Sequence, residues 1–319
     1  MNITRRQALS ALFAQTTLAQ PPRPRIDPGL CSGNPNVTGF VPYCFTDDKS
    51  IPRQLYVADG GGPPVILLHE LPGLADKDLE TARLVADQKY TVIAPLMFGS
   101  PGGAGSAARY YKQVCGVKEF ACAESHITSP HVYWIRQLCG AARERWTDGK
   151  GLGLIGMCLT GNFPIALMSE PSVVAPVVCQ PTTPVNFWTY FGLFTDERGL
   201  GLNPKDLESA KDAAKRRNIP LLGLRYKDDW RCRKPRFERL TDEFGSQFFR
   251  LDLPGKHRHS TLAFDRCDEA FTEVIAYFNR YLRSTPDPSV GVFPIHSKPG
   301  SKDEVIVPGL CSSHQQKHS

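Results

Sequence analysis

Between Val65 and Leu282, short apolar runs alternate with amphipathic stretches, and this alternation constrains the fold most. Val65–His69, Thr91–Pro95, Gly151–Met157, Val173–Cys179, Ile219–Tyr226 and Gln247–Leu253 read as strands, because each is a short, largely apolar run bounded by turn residues. Asp76–Gln88, His131–Trp146, Leu159–Ser169, Pro204–Arg217, Pro235–Phe244 and Asp265–Leu282 carry apolar residues at helical spacing. Strands separated by helices need crossover connections. The pattern therefore predicts an α/β fold with a mostly parallel sheet and helices on both faces. Ahead of it, Phe40–Phe45 and Ile51–Val57 read as a strand pair turning at Asp47-Asp48-Lys49.

A chain of 319 residues with 41% hydrophobic and 22% charged residues can bury a sizeable core, so wholesale disorder is excluded. The alternation fills residues 39–284, read as one catalytic domain. Residues 1–38 read as an N-terminal tail and linker, and residues 285–319 as a flexible C-terminal tail, both from their Pro, Gly and polar content. Lys and Arg number 38 against 32 Asp and Glu, and the basic residues are scattered, so a nucleic-acid partner is not expected. No apolar run is long enough to span a membrane, and no membrane partner is expected. A cytoplasmic location is expected. The alternative is export, because Thr4-Arg5-Arg6-Gln7-Ala8-Leu9 before a mildly apolar stretch looks like a twin-arginine signal.

The 10 Cys include no C-x-x-C pair, which argues against a zinc knuckle. His257, His259 and Cys232 lack a fourth ligand at suitable spacing, so neither a metal nor another cofactor is expected. Pro28-Gly29-Leu30-Cys31-Ser32 recurs as Pro308-Gly309-Leu310-Cys311-Ser312. A Cys31–Cys311 disulfide would fit that repeat, but coincidence is the preferred reading.

The sharpest chemical signal is Gly156-Met157-Cys158-Leu159-Thr160-Gly161, where a buried strand turns directly into a helix. A nucleophile on such a turn is held on a tight elbow above the sheet, and the helix N-terminus favours a thiolate. The bland alternative is a Cys that merely packs at a strand end. Downstream, Asp228-Asp229 follows one strand and His259 follows another. Nucleophile, acid and base then occur in the order seen in strand-turn-helix hydrolases, at the strand ends where open α/β sheets place their sites.

With His69-Glu70-Leu71-Pro72-Gly73-Leu74, Ala94-Pro95 followed by Gly99, the Cys158 hexapeptide and Arg258-His259-Ser260, residues 50–284 resemble the dienelactone hydrolase family of α/β-hydrolases. The resemblance implies an α/β-hydrolase-type sheet and cleavage of a small-molecule ester or lactone without a cofactor. It also implies Cys158 as nucleophile, His259 as base and Glu70 as a carboxylate contacting the thiol. The backbone N–H groups of Leu71 and Leu159 would form the oxyanion hole. For the acid, Asp229 fits better than Asp228, though the family's Val-Pro marker is missing.

Three positions depart from the family: Thr160 replaces a glycine and would tighten the elbow, Leu96 replaces an aspartate, and Ala263 replaces a carboxylate-gripping arginine, so the resemblance supports the fold and triad better than the family's substrate. Arg266 and Arg83 are candidates to replace that arginine. A non-catalytic α/β-hydrolase-like binding protein is the alternative. A redox role for Cys158 is disfavoured because no resolving Cys lies near it in sequence. Oligomeric state is not legible.

Overall fold

The computed structural model of the chain describes residues 22–102, 127–183, 197–285, 298–301 and 303. The twin-arginine-like segment and Cys311 lie outside the described residues. The strands are β1 (Arg25–Pro28), β2 (Val41–Thr46), β3 (Pro52–Asp59), β4 (Pro64–Leu68), β5 (Thr91–Pro95), β6 (Leu152–Met157), β7 (Val173–Cys179), β8 (Leu221–Tyr226), β9 (Phe248–Leu253) and β10 (Lys298–Pro299). The helices are α1 (Asp76–Asp87), α2 (His131–Arg145), α3 (Phe163–Leu167), α4 (Pro204–Arg217), α5 (Lys234–Phe244) and α6 (Asp268–Tyr281).

All the strands join one sheet in the order β1-β2-β3-β5-β4-β6-β7-β8-β9-β10. From β5 to β9 neighbouring strands are parallel. β1, β2 and β3 pair antiparallel on one side, β3 runs antiparallel to β5, and β10 runs antiparallel to β9 on the other. The expected parallel α/β class is what is found. The sheet also reaches beyond residues 39–284: Arg25–Pro28, read as tail, form a strand on β2, and Lys298–Pro299 add one on β9. Neither segment alternates in hydrophobicity over enough residues to show as a strand.

The central strands β4, β5, β6 and β8 are buried along their whole length. Being covered on both faces, they read as continuous apolar runs rather than alternating ones. One face packs on α1 and α6 through Leu79, Val85, Val274 and Phe278. The other packs on α2 to α5 through Trp134, Leu138, Ile165, Leu207 and Phe237. The helix expected over Leu159–Ser169 is shorter. A 3-10 turn covers Cys158–Thr160, and α3 begins only at Phe163, with Pro164 in its first turn. Pro lacks an N–H, so it is accepted there but not deeper in a helix.

The disulfide in the described part joins Cys31 to Cys44, not Cys31 to Cys311. It ties the residues after β1 to β2. Cys267 is also disulfide-bonded.

Candidate active site

Cys158 lies at the end of β6 with φ 53°, in the left-handed region that L-residues with side chains seldom adopt. Two glycines let this elbow close. A Cβ on Gly156 would lie 2.4 Å from the Thr160 carbonyl oxygen, and one on Gly161 would lie 2.6 Å from Pro181 Cα. Thr160, the departure from the expected glycine, is wholly buried and tightens the turn. Its hydroxyl accepts the Met157 N–H at 3.0 Å and lies 3.1 Å from the Leu68 carbonyl, which it can donate to. The elbow is thereby tied to β4, the strand that leads into Glu70.

The ends of β4, β8 and β9 bring the remaining groups. His259 Nδ1 is 2.6 Å from Asp229 Oδ2, and both residues are buried. Asp229 Oδ1 accepts the Arg231 N–H at 2.9 Å, which fixes the carboxylate in its loop. Asp228 is exposed, so the second Asp of the pair is the one that meets His259. With Nδ1 engaged, Nε2 is the buried ring nitrogen without a hydrogen-bond partner among the described residues. A ring nitrogen of His259, Sγ of Cys158 and a carboxylate oxygen of Glu70 all lie within 4.8 Å of one another. Burial disfavours charge on His259. The Cys158 sulfur and the Asp229 hydrogen bond outweigh it and push the imidazolium up to about 10.

Glu70 is buried at the end of β4, where it accepts a short hydrogen bond from the Ser260 hydroxyl and a long one, 3.5 Å, from Gln180 Nε2. Burial raises its proton affinity, against the opposing pull of His259 and of these two donors. Leu71 follows Glu70 directly, and Leu159 follows Cys158 in the 3-10 turn. Both candidate oxyanion-hole N–H groups therefore belong to the two loops that flank the sulfur.

Sequence reasoning missed the supports of this arrangement. Asp265 Oδ2 accepts the N–H groups of His259 and Ser260 at 2.9 and 3.3 Å and so pins the histidine loop. Gln180 Oε1 accepts both the N–H and the hydroxyl of Thr261. Arg225 and Arg250, wholly buried in β8 and β9, share Asp252 at 2.6 Å each, and Arg225 also holds the Cys232 carbonyl at the end of the Asp229 loop. A carboxylate between two guanidiniums satisfies charges that would otherwise be costly to bury. Neutral His69, its proton affinity lowered by burial to about 4, accepts the Met97 N–H and clamps the ends of β4 and β5 together. An Arg within a strand gives no periodic sign that it is buried, and a pinning Asp in a loop looks like any solvated one. No signal in the sequence marks them.

The candidate substitutes for the missing arginine are engaged elsewhere. Arg266 pairs with Glu80 and Asp268, and Arg83 lies over the Phe40 ring and donates to the Thr38 carbonyl.

Glu70, Cys158 and His259 are the donor set among the described residues that could hold a metal ion. In the structure the histidine bonds Asp229 through Nδ1, and the glutamate accepts from the Ser260 hydroxyl. No helix of the described residues is long and apolar enough to cross a membrane.

No protein-family model matches the chain, and no curated protein matches it. Among solved structures, a protein named as a dienelactone hydrolase from Klebsiella pneumoniae subsp. pneumoniae is similar at a TM-score of 0.50 and 18% identity, covering 73% of this chain and 95% of that one. XC6422 from Xanthomonas campestris, named as an α/β serine hydrolase without a lid, is similar at a TM-score of 0.49 and 13% identity, over 79% of this chain and 100% of that one. At the 18% identity of the first, the likeness is one of fold: the chain folds as an α/β-hydrolase.

Proposed function

We propose that the protein is a carboxylic ester hydrolase, similar to dienelactone hydrolases, that cleaves a small-molecule ester or lactone through Cys158. The observation that carries this reading is the elbow at φ 53° holding Cys158 within 4.8 Å of both Glu70 and the His259 ring that Asp229 grips. The name of the Klebsiella protein is consistent with it.

In the proposed cycle the thiol proton passes to Glu70, which leaves a thiolate beside the His259 imidazolium. Sulfur attacks the ester carbonyl, and the resulting oxyanion is held by the N–H groups of Leu71 and Leu159. When the tetrahedral adduct collapses, the C–O bond to the leaving alcohol breaks and His259 donates its Nε2 proton to that oxygen. Neutral His259 then takes a proton from water, which attacks the thioester. The second adduct expels the thiolate, the acid leaves, and Glu70 returns its proton to sulfur. Asp229 keeps Nδ1 protonated throughout and favours the imidazolium. A thiolate leaves an adduct more readily than an amine does, so esters suit this nucleophile better than amides.

The Cys31–Cys44 disulfide favours an oxidising compartment, and hence the exported alternative over a cytoplasmic one.

The test is hydrolysis of p-nitrophenyl acetate by the wild type and by Cys158→Ala. Turnover in the wild type and its loss in a folded variant are expected. Wild-type kcat/KM in the variant would remove Cys158 from the chemistry.

A further inference from the structure

The segment after β7, Gln180 to Thr183, carries a group that neither the triad nor Glu70 accounts for. Thr182 donates its backbone N–H to the Cys158 carbonyl at 3.0 Å, which sets its side chain beside the elbow. Its hydroxyl oxygen is 3.6 Å from Cys158 Sγ, and that sulfur is its hydrogen-bond partner among the described residues. Thr182 is 8% exposed, so water competes little for the hydroxyl.

The segment cannot easily swing away. The Gln180 N–H bonds the Leu224 carbonyl at 2.7 Å, buried Arg236 donates to the Pro181 carbonyl, and Asn162 Nδ2 donates to the Thr183 carbonyl at 2.9 Å. Four consecutive residues are thus fixed by β8, α5, the Cys158 carbonyl and Asn162 just after the elbow.

Resting on Cys158 as the proposed nucleophile, we propose that Thr182 is a further catalytic residue, whose hydroxyl donates to Cys158 Sγ and stabilises the thiolate. While sulfur carries its proton, either atom can donate to the other. Once that proton has moved to Glu70, sulfur can only accept, and Thr182 keeps its own proton and turns it to the anion. A hydrogen bond to a charged acceptor is stronger than one between neutral groups, so the bond strengthens as the charge appears. In the thioester the sulfur has lost that charge, and it regains it when the second adduct expels the thiolate. The hydroxyl therefore assists both half-reactions, whereas Glu70 assists only the first.

The titratable groups around the sulfur are Glu70 from the β4 loop and His259 from the β9 loop. Behind them lie Asp78 on α1, Asp229 after β8 and Asp265 beside His259. None is altered by changing Thr182, which makes the alkylation profile of Cys158 a direct readout. Iodoacetamide labelling, located by peptide mass spectrometry, is followed from pH 5 to 10 in the wild type, Thr182→Val and Thr182→Ser. Thr182→Val is expected to raise the pH of half-maximal labelling by about one unit and to slow labelling at pH 6 by roughly tenfold, the scale of one charged hydrogen bond. Thr182→Ser restores the wild-type profile. Thr182→Ala serves in place of the valine variant should that one fold poorly.

Coincident profiles for wild type and the hydroxyl-less variant would overturn the assignment. So would a shifted profile that serine leaves uncorrected. Because labelling needs no turnover, absence of esterase activity would sink the hydrolase reading while leaving the contact between Thr182 and the thiolate intact.

Discussion

Asp78 accepts the backbone N–H of Glu70 through Oδ1 at 3.4 Å, so a second buried carboxyl stands beside the Glu70 backbone where β4 runs out. The other oxygen of Asp78 accepts the Ala75 N–H at 3.1 Å, at the start of α1. Burial first, and then the charge of Glu70, raises the proton affinity of Asp78 well above the ordinary carboxylate range. A carboxyl raised on folding supports stability below its unfolded value, near 3.9, and loses that support as pH rises toward the folded value. Asp78→Asn keeps one acceptor and cannot ionise. Its stability relative to wild type is therefore expected to improve between pH 4 and pH 8, while Asp78→Ala, which likewise cannot ionise but loses both bonds, is expected to lie about 1–3 kcal/mol below Asp78→Asn at each pH. Urea denaturation at three pH values decides this. A difference between wild type and Asp78→Asn that does not move with pH would contradict the buried-charge account.

His259 gives the opposite dependence at the alkaline end. Its folded proton affinity, pushed up to about 10, exceeds the ordinary value near 6.5. The stability this contributes is complete below about pH 6.5 and is lost as pH rises through the folded value. Asp229→Asn weakens the bond that helps hold the imidazolium. The stability gap between wild type and variant is expected to be widest near pH 6 and to narrow toward pH 10. Activity of Asp229→Asn should fall by roughly 10³–10⁴-fold through the wrong imidazole tautomer. Exposed Asp228→Asn should stay within a few-fold. Comparable losses in both would show that the short contact to His259 is not what matters.

Thr160 makes the elbow's tie to β4 testable. Thr160→Val keeps the shape but leaves the buried Met157 N–H without its acceptor. A loss of about 1–3 kcal/mol is expected, with Thr160→Ser near wild type. Equal stability of the two variants would mean that packing, and not the hydroxyl, holds the turn.

These residues also mark how far the sequence was legible. The buried strands announced themselves, because a strand covered on both faces is one unbroken apolar run. Cys158, the Asp228-Asp229 pair and His259 could be singled out because each follows such a run, and strand ends are where this fold gathers side chains, whereas Glu70 and the choice of Asp229 rested on the family resemblance. Thr182 follows β7 in the same way, but threonine after a proline reads as an ordinary turn. Thr160 read as a residue that would tighten the elbow, but the partner of its hydroxyl was not legible, since it lies on a strand 92 residues away. The Asp265, Gln180 and Arg225 supports are invisible for the same reason. Their partners are set by the crossing of loops, which no local pattern encodes. β1 was lost because a strand of four residues with one buried side chain has no periodicity to detect.

The disulfide between Cys31 and Cys44 spans 13 positions and anchors the residues that follow β1. Closing a loop of that length restricts the unfolded chain by up to ~3 kcal/mol. Removal of both sulfurs, as Cys31→Ala with Cys44→Ala, is expected to lower Tm while p-nitrophenyl acetate hydrolysis at 25 °C is retained, since neither residue belongs to the site. An unchanged Tm would mean that β1 is held by its pairing with β2 alone.

Glu70 decides how the thiolate is made. Its carboxylate is buried, held by Ser260 and Gln180, and lies within 4.8 Å of Cys158 Sγ. Desolvation raises its affinity for a proton, which suits a group that must take one from a thiol. Glutamine occupies the same space and cannot accept that proton. In Glu70→Gln the pre-steady-state burst of p-nitrophenol is expected to slow by roughly 10²-fold or more, the usual scale of a positioned base. Deacylation should change little, because it draws on His259 to activate water. Ser260→Ala, which frees Glu70 from its donor, should slow the burst by a smaller factor and leave the carboxylate in place. A burst in Glu70→Gln as fast as the wild type's would show that His259 takes the thiol proton itself, and the site would then work as a Cys-His-Asp triad with a buried carboxyl that only braces the loop.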